Sequence, residues 1–119
     1  MNSRMIGSGA ETLAAAYIEE NGMKLLARNF HFGREEIDLI ARDGGTLVFI
    51  EVKYRFDTRR GLPAEAVNKT KQRSIARAAV YYMKTNGLLN SRVRFDVAAV
   101  LGDEITYIKN AFDTTSMRL

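Results

Sequence analysis

The chain has no cysteine, a single proline and a single histidine. No apolar run approaches the roughly 18 residues of a membrane span. Without thiols, disulfides and thiolate metal sites are excluded, which fits a reducing compartment. The lone histidine, His31, has no partner at ligand or triad spacing. Nothing in the chain resembles a Ser-His-Asp set, a zinc site or a phosphate-binding glycine loop. The opening MNSRMIGSGAE lacks the apolar core of a signal peptide, so the expectation is a cytoplasmic protein with no membrane partner. What is present is 119 residues, 46% of them hydrophobic, which is enough for one core and one domain over residues 1–119.

Charge is unevenly placed. Between Lys53 and Arg77 stand eight basic residues (Lys53, Arg55, Arg59, Arg60, Lys69, Lys71, Arg73, Arg77) and two acids (Asp57, Glu65). That segment carries +6 of a chain whose net charge is +4, which leaves −2 for the remainder. A basic surface suits a polyanionic partner; a solvated helix face with a charged loop explains the charge equally well.

The segment Glu36 to Lys53, EIDLIARDGGTLVFIEVK, organises the rest. Two apolar runs flank an Asp-Gly-Gly turn, with Asp38 in the first run and Glu51 and Lys53 closing the second. Side chains alternate along a strand, so Glu51 and Lys53 share a face. Asp43-Gly44 suits a type I′ two-residue loop. That register pairs Arg42 with Gly45, and sets Asp38 opposite Phe49 and Glu36 opposite Glu51. Asp38 is then diagonal to Glu51 on the same face, about 7–8 Å away, close enough for both carboxylates to share a cation. A three-residue loop would turn Asp38 to the other face.

Around this hairpin the chain divides readily. Ser8 or Gly9 is expected to open a first helix that stops near Asn21-Gly22, with Ala10, Leu13, Ala14, Tyr17 and Ile18 as its buried stripe. Glu11 lies at the edge of that stripe; an acid there is more often a charge favoured by the helix dipole than a ligand. Lys24–Phe32 reads as a strand. Tyr54 to Leu62 is a basic loop, and Pro63 suits the first turn of a second helix that ends near Asn86-Gly87. Val67, Ile75, Ala78 and Tyr82 mark its buried stripe. Lys71 falls in the middle of it and must either snorkel or find an acid. Val93–Leu101 reads as a strand buried on both faces, interrupted by Asp96, which is expected to be structural before it is a ligand. Asp103-Glu104 then turns into a last strand, Ile105–Lys109.

The order helix, three strands, helix, strand, with Asp38-x12-Glu51-x-Lys53, resembles the restriction-endonuclease-like PD-(D/E)xK superfamily. The segments Arg28-Asn29, Glu36-Ile37-Asp38-Leu39-Ile40, Phe49-Ile50-Glu51-Val52-Lys53, Lys71-Gln72 and Arg94-Phe95-Asp96-Val97 are similar to the small bacterial YraN-like family. Glu11 matches the helical position from which the related archaeal Holliday-junction resolvases supply an acid. Ala10 and Glu35 replace glycines common in that family.

The resemblance implies a three-layer α/β fold, with a central mixed sheet flanked by helices, and a metal-dependent nuclease. Asp38, Glu51, the Val52 carbonyl and Glu11 would hold Mg²⁺ (or Mn²⁺). Lys53 would orient or deprotonate water, and Lys71 and Gln72 would clamp the scissile phosphate. Arg55, Arg59, Arg60, Lys69, Arg73 and Arg77 would contact backbone phosphates. The expected partner is nucleic acid, DNA before RNA, with a homodimer by analogy to the resolvases. The competing expectations are a nucleic-acid-binding module without turnover and a scaffold for a protein partner.

Overall fold

A computed structural model describes residues 3–59, 61–62, 67–115 and 117, with side chains from residue 9 onward. The elements in chain order are α1 (Ser3–Glu20), β1 (Lys24–Phe32), β2 (Glu35–Asp43), β3 (Thr46–Arg55), α2 (Lys69–Thr85), β4 (Arg92–Leu101) and β5 (Glu104–Ile108). One five-stranded sheet runs β1-β2-β3-β4-β5. All neighbours are antiparallel except β3 and β4, which are parallel and joined through α2. The fold is therefore α/β with a mixed sheet.

The alternation of apolar residues in β3 places a helix on each face. Val48 and Ile50 meet Ala14, Ala15 and Ile18 of α1, together with Leu39, Ala41 and Ala98. Leu47 and Phe49 meet Ile75, Ala78, Ala79 and Met83 of α2, together with Ile37, Ile40 and Phe95. A strand covered on both faces needs a continuous apolar run, and Leu47–Ile50 supplies it.

The structure corrects several expectations. α1 opens at Ser3, not at Ser8 or Gly9; glycine inside a helix costs only about 1 kcal/mol relative to alanine, which does not break it. α2 opens at Lys69, not near Pro63. Its cap is Asn68, whose extended backbone (φ −81°, ψ 177°) and side-chain oxygen satisfy the Lys71 N–H. Val67 thus precedes the helix, although it still packs on the α2 core. Pro63 and Glu65 lie outside the described residues. β5 spans Glu104–Ile108, one residue before the expected Ile105–Lys109.

The β2–β3 loop is the most consequential correction. The two-residue loop is Gly44-Gly45, not Asp43-Gly44: Asp43 pairs with Thr46 and Arg42 with Leu47. Gly44 takes φ +59°, at the first central position where a type II′ turn requires glycine. Asp43 is held out of the loop by Arg94, whose Nη1 donates to Asp43 Oδ2 at 2.9 Å. Arg94 in turn donates to Asp96, which is fully buried and also accepts from Tyr107 Oη at 2.6 Å and from the Asn110 N–H at 2.9 Å. These carboxylates push the Arg94 guanidinium further up, and burial and the Asp96 carboxylate push the Tyr107 hydroxyl up. Asp96 is therefore a structural tie between β4, β5 and the β2–β3 loop.

Candidate active site

The register moves by two residues, so the parity of faces survives while the geometry tightens. The β2–β3 ladder closes at Leu39 and Ile50, and its next position sets Asp38 against Glu51, not against Phe49. Here the strands part. The Val52 N–H donates to Asp38 Oδ2 at 2.8 Å, a side chain standing where a backbone carbonyl would otherwise accept.

Glu51 is buried, 4% exposed, between two lysines. Its Oε1 lies 3.5 Å from Lys53 Nζ and 3.7 Å from Lys71 Nζ. Its Oε2 is buried with no hydrogen-bond partner among the described residues. Burial pushes the Glu51 carboxyl up to about 7, the Asp38 charge pushes the same way, and Lys71 and Lys53 oppose both. Asp38 is also raised by burial, and its Val52 bond opposes that rise. The two carboxyls are close enough to compete for a proton, as like charges in low dielectric do.

The helix start explains Lys71. Asn68 caps through the Lys71 N–H, which puts Lys71 in the first turn, where the helix dipole disfavours a cation. The side chain is half-buried and reaches Glu51. Of the two fates open to it, the acid is the one realised. Gln72 behaves differently: its Nε2 donates to the Val67 carbonyl at 3.2 Å, and its Oε1 is buried without a partner. It ties the incoming loop to α2 and makes no hydrogen bond to the carboxylate pair.

Glu11, half-buried on α1, is raised first by burial and then by the charges of Asp38 and Glu36. It belongs to the same electrostatic field, yet among the described residues no three acids or histidines are gathered tightly enough to hold a metal ion. Asn29 connects them. With its amide nitrogen turned inward it donates to Glu11 Oε1 at 2.7 Å and to Glu36 Oε1 at 3.1 Å. Its φ of +52° lies in the left-handed region that asparagine tolerates better than most residues, and regular β1–β2 pairing skips it. Sequence pattern gives Asn29 and Glu36 no role in the candidate site: Glu36 enters only as the residue expected opposite Glu51, and a strand asparagine reads as ordinary outside its matched motif.

The basic residues separate into groups. Lys69 and Arg73 are exposed, with no ion-pair partner among the described residues. Arg77 Nε is taken by Glu35 Oε1 at 2.7 Å. Arg59 is 90% exposed beside Asp57 at 3.4 Å. Arg55 turns back, Nη1 donating to the Tyr54 carbonyl at 3.2 Å. Arg60 lies outside the described residues. Among the described residues no helix is long and apolar enough to cross a membrane.

Residues 10–100 match the family described as Uncharacterised protein family UPF0102. A UPF0102 protein of Lachnoclostridium phytofermentans is 48% identical over 114 residues, covering 95% of this chain and 97% of its own. Another, from Syntrophus aciditrophicus, is 44% identical over 111 residues, covering 90% of this chain and 87% of its own. A third, from Caldicellulosiruptor saccharolyticus, is 39% identical over 118 residues, covering 94% of this chain and all of its own. The chain therefore belongs to family UPF0102, the YraN-like family that its motifs resemble.

Proposed function

We propose that this protein is a metal-dependent nuclease of the PD-(D/E)xK type, built on a restriction-endonuclease-like sheet and acting on DNA in preference to RNA. The observation that carries the reading is the half-buried Asp38 beside the buried Glu51, whose Oε2 has no hydrogen-bond partner among the described residues and whose Oε1 faces two lysines. Two like charges crowded out of water store repulsion that a cation relieves. The donors are hard oxygens, and Mg²⁺ needs only one or two carboxylates when water and phosphate complete its shell. The residues therefore fit the ion: Asp38, Glu51 and the Val52 carbonyl would hold it, with Glu11 contributing directly or through water. When bound, Mg²⁺ (or Mn²⁺) supplies Lewis-acid charge and an acidified water.

The chain's own groups supply the rest. Lys53, anchored beside Glu51, orients the attacking water and stabilises charge gathering on the phosphorane. Lys71, reaching across from α2, holds a non-bridging phosphate oxygen. Lys69 and Arg73 take neighbouring backbone phosphates without reading sequence.

The test is cleavage of labelled duplex, flap, four-way junction, single-stranded DNA and RNA, with Mg²⁺, Mn²⁺ or EDTA, by wild type, Glu51→Ala and Lys53→Ala. Metal-dependent cutting lost in both variants is expected. Tight, equal binding by all three proteins with no cutting of any substrate would make this a binding module instead.

A further inference from the structure

Tyr81 and Phe32 form a stacked aromatic pair at the surface, their centroids 4.3 Å apart and their planes 10° from parallel. Each is 40% exposed. They end a series of rings that begins in the core: Phe49 meets Tyr82 edge-on at 6.0 Å, Tyr82 meets Phe30 edge-on at 5.1 Å, and Phe30 lies 6.2 Å from Tyr81. The outer pair is thereby fixed by the interior. Neither ring completes the core, and the pair presents a flat apolar face at the surface.

The helix that carries Tyr81 sets the charge around this face. Lys69, Arg73, Arg77 and Tyr81 follow one another at steps of four, a single slowly turning stripe. The stripe starts in the same first turn as Lys71, whose amine reaches Glu51, and reaches Tyr81 after roughly 18 Å, from 1.5 Å per residue. Lys69 and Arg73 have no ion-pair partners among the described residues, and Glu35 fixes Arg77 one turn before the rings. Cations leading to an aromatic platform match a polyanion that carries flat apolar groups. Base–aromatic stacking combined with a basic track is how single strands are held without sequence preference.

We infer that Phe32 and Tyr81 form a stacking subsite for an unpaired base, on a strand whose phosphates follow Lys69, Arg73 and Arg77 away from the carboxylate site. The inference rests on the nuclease reading and narrows its substrate class to DNA with a single-stranded portion. A blunt duplex, its bases already stacked, has nothing to offer the platform.

The test uses binding in EDTA, so that no cutting intervenes. The probes are a blunt duplex, the same duplex with a single-stranded tail, and an oligo-dT strand. Phe32→Ala is expected to weaken the tailed and single-stranded probes by about 5- to 150-fold, the range for losing one stacked base, and to leave the duplex unchanged. The chain has no tryptophan, so Phe32→Trp places a lone reporter whose emission the tail should quench and the duplex should not. Equal affinities of wild type and Phe32→Ala for every probe, with no quenching, would overturn the subsite while leaving the nuclease reading intact. Wild type that binds none of the probes overturns the subsite, and the nuclease reading then stands or falls on the cleavage panel with Mg²⁺ or Mn²⁺. Sedimentation that shows a wild-type dimer dissociating in Phe32→Ala, with DNA affinity unchanged, would assign the rings to a second copy and overturn the subsite.

Discussion

The Val52 N–H donates to the carboxylate of Asp38 at 2.8 Å, at the point where the β2–β3 ladder has ended. One side chain thus ends the ladder between two interior strands and stands beside Glu51. Its structural and chemical roles separate by substitution. Asp38→Asn keeps an acceptor for Val52 and removes the negative charge, so stability should hold or rise. Asp38→Ala leaves a half-buried N–H unsatisfied, at about 1–3 kcal/mol. Both should lose metal binding, read by calorimetric titration with Mn²⁺. Equal stability of the two variants in urea would contradict the assigned bond.

Glu51 makes stability depend on pH in a definite direction. Its carboxyl moves from an ordinary 4.5 up to about 7, mainly through burial. A raised carboxyl favours the folded state below pH 4.5, and that contribution is lost as pH rises through about 7. In EDTA, wild type should therefore lose on the order of 1–3 kcal/mol between pH 4.5 and 8 from this group. Glu51→Gln should flatten the curve and equal or exceed wild type at pH 8. Parallel curves from denaturant unfolding would refute this account of Glu51.

Asn29 should act through Glu11 and Glu36. Asn29→Gly keeps the backbone conformation and removes the bridge, so cleavage should fall about 10- to 100-fold, as for other residues that orient ligands, with little change in melting. Asn29→Ala adds backbone strain of about 1–3 kcal/mol. Melting curves and cleavage rates measured on both variants separate the two effects. Full activity in Asn29→Gly would remove the positioning role.

Asp96 is expected to be silent in chemistry and costly in folding. Asp96→Ala leaves Arg94 without its main partner, at about 3–5 kcal/mol, and leaves Tyr107 Oη and the Asn110 N–H without their acceptor. At a temperature where the variant is folded, Mn²⁺ affinity should match wild type. A large loss of metal affinity there would tie Asp96 to the site.

Lys69→Ala and Arg73→Ala should each lower DNA affinity alike for every sequence and reduce the salt slope, log affinity against log salt, by about 0.7–0.9. Titrations at three salt concentrations suffice. Unchanged slopes would take both residues off the track.

Local pattern carried much of this protein. The limits of β1, the apolar run of β3 and the shared face of Glu51 and Lys53 follow from composition and the two-residue period of a strand. Parity is also why Asp38 kept to the side of Glu51 although the loop moved by one position. Asp43-Gly44 and Gly44-Gly45 are both good hairpin loops, and local preference alone does not choose between them. Arg94, 51 residues further on, chooses by claiming Asp43. The remaining features are of that long-range kind. Lys71 finds Glu51 from another element, Glu35 takes Arg77 from 42 residues away, and Asn29 joins a helix to a strand. Side-chain polarity and spacing set which residues are buried, whereas the partner of a charged group depends on which elements the sheet brings together.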